Sequence, residues 1–214
     1  MDAYTSPQYH QSALVTIDMQ RDFLDDQPLG VRGTSAVVAR VARATRLFRE
    51  QGRPVVHVVR LYRPDGANVD PCRRTRVEQG APMLIAGSPG SQMIAPLLPS
   101  GDVVLDADLL LDGRLQPIGP REWIMYKPRW GAFFETPLEA HLRSAKVSTV
   151  VFAGCNWPNC PRTSIYEASE RDFRIVVLSD AVSGLYARGL RELEGIGASI
   201  VSTRAFVAAA SREQ

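Results

Sequence analysis

No apolar run in this chain approaches the roughly 18 residues that cross a bilayer as a helix, and the N-terminal MDAYTSPQYHQSA lacks the basic start and apolar core of a secretory leader. Both absences lead us to expect a cytoplasmic protein with no membrane partner. Cysteine is scarce as well, at three residues in 214. So small and odd a number is no disulfide framework, and neither a CxxC pair nor a Cys/His cluster occurs. A reducing compartment fits that pattern. His10, His57 and His141 stand in the N-terminal tail, within an apolar run and in a helical segment, without ligand spacing, so no metal or other cofactor is expected. The formal net charge of +2 is too small to argue for nucleic acid. The arginines that crowd the stretch from Arg32 to Arg76 recur along one helical surface and read as a solvated face.

With 45% hydrophobic and 22% charged residues, the chain can bury one substantial core, and a single domain over residues 1–214 is expected. Short apolar runs give the strands: ALVTI at 13–17, PVVHVVRL at 54–61, STVVFAG at 148–154, RIVVLSD at 174–180 and ASIVS at 198–202. VVLDADLLL, DGRLQPIGPRE and WIMYK read as further strand segments separated by turns. A helical period runs from Ser35 to Glu50 and stops at Gly52. Helices are expected at 162–171 and 190–197. Another is expected in TPLEAHLRSAK, where Thr136 is placed as N-cap, Pro137 at the first position and Glu139 in a capping box. The Gly- and Pro-rich stretch 62–99 is expected to be mostly irregular, with one helix near Ser91–Leu98. Strands alternating with helices imply a three-layer α/β/α, doubly wound, mostly parallel sheet, in which ligands bind beyond the carboxyl ends of the strands.

Cys160, in VVFAGCNWPNCPRTSIYEASERDF, lies where a strand must turn into a helix. A thiol at a helix N-terminus meets unpaired N–H groups and the positive end of the helix dipole, both of which favour the thiolate. Asp18 and Lys127 also fall at or just past strand ends. A carboxylate can take the thiol proton and return it to a leaving amine, and a lysine can hold the negative charge of both. On that chemistry, Asp18→Asn is expected to slow thiol alkylation near neutral pH. Taken singly, each residue also has a plain structural reading: a core cysteine, a turn-capping aspartate, a solvated lysine. Cys72 and Cys155 are read in that plain way.

Three ordered blocks, ALVTIDMQRDFL, MYKPRWGAFFETPLEAHL and VVFAGCNWPNCPRTSIYEASERDFRIVVLSDAVSG, make the chain resemble the isochorismatase-like cysteine hydrolases, and with the intervening strand pattern they span nearly its whole length. That family includes nicotinamidases, N-carbamoylsarcosine amidohydrolase, and biuret and ureidoacrylate amidohydrolases. The resemblance implies a catalytic triad of Asp18, Lys127 and Cys160. It also implies an oxyanion hole made by the N–H groups of Asn156 and Cys160, a cis peptide joining Cys155 to Asn156, and a homo-oligomer, dimer or tetramer. The family commonly carries Thr and Asn or Ser between the glycine and the cysteine and Val after it, whereas this chain has Trp157, Pro158 and Pro161. Nicotinamidases place an Asp and two His after the second strand to bind a divalent ion, whereas VVRLYRPDGANVD stands there in this chain. The implied activity is therefore metal-independent hydrolysis, with water, of a C–N bond other than a peptide bond in a small amide, carbamoyl or ureido compound. Two alternatives are a vinyl ether hydrolase using Asp18 as general acid, and an idle member serving as a binding or assembly module.

For the substrate pocket, Phe23, Trp130 and Trp157 are candidates for an aromatic wall, with core packing as the alternative. Arg60, Asn68 and Arg74 are candidates for holding a polar or acidic group, since arginine grips carboxylates at two points. A surface salt-bridge loop containing Asp70 and Arg73 is the alternative there.

Overall fold

The computed structural model describes residues 2–28 and 30–212. Its frame is a seven-stranded sheet of β1 (Ser12–Ile17), β2 (Val55–Val59), β3 (Gln116–Gly119), β4 (Glu122–Tyr126), β5 (Thr149–Gly154), β6 (Arg174–Val182) and β7 (Ser199–Val201). The strand order is β3-β4-β2-β1-β5-β6-β7, parallel throughout except for β3 against β4. β1, β2 and β5 are buried at every position, which is why each reads as an unbroken apolar run rather than an alternating one.

The two sheet faces carry separate hydrophobic clusters, and β1 divides itself between them: Leu14 points into one, Ala13, Val15 and Ile17 into the other. On the first face α1 (Thr34–Glu50) supplies Val37, Val41, Leu47 and Phe48, and α7 (Thr203–Ala210) supplies Phe206. Phe48 and Phe206 stack with ring centroids 5.8 Å apart. On the second face α4 (Leu138–Ser144) supplies Leu138 and Leu142, α5 (Cys160–Ser169) supplies Ile165 and Ala168, and α6 (Ala187–Gly195) supplies Leu193. The result is the expected three-layer α/β/α arrangement.

Four local expectations differ from the structure. The helix expected near 91–98 is only a three-residue 3-10 turn, Ala95–Leu97. The true helix of that region is α2 (Pro71–Glu78), which buries no residue and so carries no apolar period to read. VVLDADLLL is not a strand: Asp106 accepts a hydrogen bond from the Leu109 N–H at 3.0 Å and starts a short helix, α3 (Ala107–Leu111), the local competition that aspartate wins at helix starts. The capping box before α4 does not form. Thr136 does accept from the Leu138 N–H at 3.4 Å while donating to the Ala132 carbonyl, but Glu139 does not reach back and pairs instead with Arg171 and Arg143. Finally, α7 went unanticipated, although Ser202 caps it by accepting from the Ala205 N–H.

From β1 the chain builds outward to β2 and β4 on one side and then to β5, β6 and β7 on the other. The reversal falls between β1 and β5, and such a switch opens a crevice at the carboxyl ends of those strands.

Candidate active site

Asp18, Lys127 and Cys160 meet in that crevice, each delivered by the end of a different strand. The parallel ladder runs one residue past the strand ends: the N–H groups of Asp18, Lys127 and Cys155 donate to the carbonyls of Val58, Val59 and Ile17 at 2.8, 3.0 and 2.9 Å. Asp18 takes a left-handed backbone, φ 51°, a conformation that aspartate tolerates better than most residues. Gly154 lies so close to β1 that a Cβ there would sit 2.2 Å from the Ile17 carbonyl oxygen, and its φ is +127°. Only glycine can bring β5 to the site in this way.

Two residues lock the loop after Lys127 onto α5, the helix that starts at Cys160. Ser164 accepts from the Ala132 N–H at 3.0 Å and donates to the Cys160 carbonyl at 2.7 Å. Glu167 accepts from the Phe133 N–H at 2.9 Å and packs so tightly on Gly131 that a Cβ there would meet its carboxylate at 2.1 Å.

Lys127 Nζ lies 3.0 Å from Asp18 Oδ2, with side-chain exposures of 0% and 3%, and also donates to the Arg129 carbonyl at 3.3 Å. Asp18 Oδ1 is buried without a hydrogen-bond partner. Cys160 is the first residue of α5 and is buried. Its thiol pKa is raised, chiefly by burial and then by the Asp18 charge, with Lys127 and Arg60 acting in the opposite sense. That direction runs against the expected helix-favoured thiolate, because burial and the Asp18 charge both oppose ionisation of the sulfur. The sign of the alkylation forecast changes with it, because removing the Asp18 charge now lowers the thiol pKa. Cys155 is a core thiol, pushed up to about 12 by burial and accepting from the Thr34 hydroxyl at 3.2 Å.

Among the described residues there is no cis peptide bond, so the Cys155–Asn156 bond is trans rather than cis, the form a non-proline residue favours by about 3 kcal/mol. The N–H groups of Asn156 and Cys160 donate to no other group among the described residues, as befits the turn ahead of a helix.

Arg60 follows β2 and is buried in the site. Its Nη1 donates to Asp70 Oδ2 at 2.6 Å and to the Pro128 carbonyl at 3.4 Å. Its Nη2 donates to the Arg129 carbonyl and reaches Cys160 Sγ at 4.0 Å. Gln20 clamps the Arg60 backbone from both sides, accepting from its N–H at 2.9 Å and donating to its carbonyl at 2.8 Å. Asp70 Oδ2 also accepts from the Tyr62 hydroxyl at 2.7 Å and from Arg73 Nη1 at 3.0 Å, and the Arg73 guanidinium lies 4.9 Å from the Trp130 ring centroid.

The remaining pocket candidates scatter. Asn68 donates to the Leu61 carbonyl and the Tyr126 hydroxyl at 3.0 Å each and accepts from the Arg63 N–H, so it braces its own loop. Arg74 is exposed and donates at 3.4 Å to the Val69 carbonyl. Its neighbour Arg73 is the one turned to the site. Trp157 is fully buried, packed on Gly189 and Tyr186, and Phe23 belongs to the hydrophobic cluster of the other sheet face. The expected aromatic wall therefore reduces to Trp130. Arg162 pairs with Glu192 of α6 at 3.0 Å and acts as a brace. Gln20, Ser164 and Glu167 escaped the sequence reading. A polar residue three positions past the end of a buried strand was the one available signal, and it pointed to Gln20.

Among the described residues no three His, Cys, Asp or Glu side chains gather as a metal-holding group. His57 is instead spent inside β2, between Thr16 and Glu122. No helix among the described residues is long and apolar enough to cross a membrane.

The family model of the Isochorismatase domain matches residues 12–205. The chain is 27% identical over 197 residues to a probable inactive nicotinamidase of Arabidopsis thaliana, covering 88% of this chain and 91% of that protein. It is 31% identical over 183 residues to the ureidoacrylate amidohydrolase RutB of Methylobacterium radiotolerans, covering 78% of this chain and 65% of that longer protein. Among solved structures, an isochorismatase family protein from Desulfovibrio vulgaris superposes with a TM-score of 0.79 at 28% identity, covering 94% of this chain and 99% of the other.

Proposed function

This chain belongs to the isochorismatase family, and from that premise we propose that it is a cysteine-dependent, metal-independent amidohydrolase. Its substrate is a small amide, carbamoyl or ureido compound, cleaved at a C–N bond through a thioester. The observation that carries this reading is the convergence of the buried Asp18 carboxylate, its Oδ2 paired with Lys127 and its Oδ1 unpartnered, on the buried Cys160 thiol, whose pKa that carboxylate raises. A proton acceptor without a donor and a thiol with a proton to lose are the two halves of a general-base step.

The substrate carbonyl carbon takes the sulfur lone pair as the Cys160 proton passes to Asp18. Lys127, 3.0 Å from the other carboxylate oxygen, holds the carboxylate in place with Oδ1 left for the proton. The developing oxyanion lies against the free N–H groups of Asn156 and Cys160. Asp18 then protonates the leaving nitrogen, the C–N bond breaks, and a thioester remains. Water, deprotonated by Asp18, attacks the thioester and restores the thiol. The relative named as inactive makes the completeness of this machinery worth stressing: all three side chains are present and in register.

The test is an ammonia-release screen across carboxamides, carbamoyl amino acids, ureas and biuret-like compounds, repeated with Cys160→Ala and Cys160→Ser. Turnover should vanish in both variants while the folded signal is kept. Full turnover by Cys160→Ala would sink the thioester route.

A further inference from the structure

We infer that Arg60 is a fourth catalytic residue, whose guanidinium supplies the counter-charge for the Cys160 thiolate rather than a handle for the substrate. The inference rests on the reading of Cys160 as nucleophile and adds to it a residue outside the expected triad. Arg60 Nη2 is 4.0 Å from Cys160 Sγ, within reach of an N–H···S contact that strengthens when the sulfur becomes an anion.

The charge inventory of the site explains why such a group is needed. Lys127 and Asp18 form a neutral pair, while Arg60 and Arg73 share the single carboxylate of Asp70. With the thiol protonated, the cluster therefore holds one excess positive charge, and ionisation of Cys160 brings it to zero. A buried thiolate beside Asp18 has Lys127 acting in its favour, but that ammonium is shared with the carboxylate, and in a site cut off from water two anions against one cation leave a charge to be compensated. The excess cation offsets that cost at the step where it arises.

A substrate carboxylate is the other obvious use for a buried arginine, and the geometry speaks against it. Both terminal nitrogens of Arg60 are committed, to Asp70, the Pro128 and Arg129 carbonyls and the sulfur. Only the Nε–H lacks a partner, and one N–H cannot make the two-point grip by which arginine selects carboxylates. The backbone clamp from Gln20 and the Tyr62 ring, 5.9 Å from the guanidinium carbon, leave Arg60 little freedom to swing away. That rigidity suits a fixed counter-charge, which needs no reorganisation when the sulfur ionises.

The experiment measures alkylation of Cys160 by iodoacetamide as a function of pH, by mass spectrometry of the peptides after quenching and digestion, with the exposed Cys72 as internal reference. Arg60→Gln should move the Cys160 profile to higher pH and slow labelling near pH 7.5 by about 10-fold, one pKa unit's worth, with Cys72 unaffected. Arg60→Lys should recover part of the rate. Asp70→Asn removes the anion that shares the Arg60 charge and should move the profile the opposite way, which keeps the test decisive if Arg60→Gln folds poorly. On an amide substrate found in the screen, Arg60→Gln should lower kcat and leave KM nearly unchanged. A wild-type labelling profile in Arg60→Gln, an upward shift in Asp70→Asn, or a raised KM with kcat intact would each overturn the inference. Alkylation requires no turnover, so a hydrolase that survives Cys160→Ala would refute the nucleophile assignment while leaving this measurement standing.

Discussion

The two ends of β4 carry two buried charge networks that look alike in composition and differ in completeness. Glu122 opens the strand and is fully spent. Its Oε1 takes His57 Nε2 at 2.7 Å and Arg49 Nη2 at 2.6 Å, its Oε2 takes Arg49 Nε at 2.6 Å, and Thr16 meets the other ring nitrogen of His57 at 2.7 Å. Lys127, just past the far end, belongs to a network that leaves Asp18 Oδ1, Asp70 Oδ1 and Arg60 Nε buried without partners. A satisfied buried network holds strands in register, whereas an unsatisfied one keeps bonding capacity in reserve, and natural folds retain that cost where a ligand or a proton will use it. Buried charge alone does not mark the site in this protein, and neither does one unmatched atom, since single ones also occur at Gln51, His141, Trp157, Arg174 and Ser183; three of them gathered in one charged cluster do.

Substitutions at the two ends should therefore differ in what they do to activity. Asp18→Asn should lower turnover per folded molecule by about 10^3-fold, the worth of a general base. Because it strands the fully buried Lys127 ammonium it should also lose stability, so the two ends differ in activity rather than in stability. In the same variant iodoacetamide should label Cys160 faster, not slower, since the like charge that raises the thiol pKa is gone. Slower labelling would show that Asp18 governs the thiol by proton transfer alone. Glu122→Gln should cost about 3 kcal/mol in urea unfolding as Arg49 and His57 lose their carboxylate, but with kcat per folded molecule retained. A dead but stable Glu122→Gln would break the comparison.

A smaller effect is expected from pH. Burial lowers the pKa of His57, against the pull of Glu122, so the native state holds the ring neutral while the unfolded chain takes up a proton near 6.5. Stability present above that pH should fall as the pH drops through it. Glu122, where burial acts upward but the bonds from Arg49 and His57 more than reverse it, adds a further loss below the ordinary carboxylate range. Urea midpoints taken from pH 8 to pH 4 should show the decline, and His57→Gln should flatten its upper part. Least of all, Arg74→Ala should change neither turnover nor stability by more than about 0.5 kcal/mol, and a marked loss of substrate affinity would return Arg74 to the pocket.

The strands were legible because each is short, apolar and buried on both faces, and α1 because one of its faces is buried along its length. α2 was hidden for the opposite reason: it buries nothing, yet it carries Arg73 and follows Asp70, the anchor of Arg60. The Asp106 cap likewise beat an apolar run that looked like a strand. Asp18, Lys127 and Cys160 could be picked out because strand ends in a parallel sheet are where side chains converge, and because three ordered blocks carried the resemblance. Asn68, Arg74, Phe23 and Trp157 drew attention by residue type and nearness in sequence, and packing turned all four to other uses.

By itself, then, the sequence determined the sheet, its parallel sense and the three residues at strand ends, since these follow from local apolar runs and from where such runs stop. The tertiary structure decided whether each polar group would be matched or left unmatched, and which way the thiol's pKa would move. Both depend on which distant groups share its burial, and desolvation has no signature along the chain.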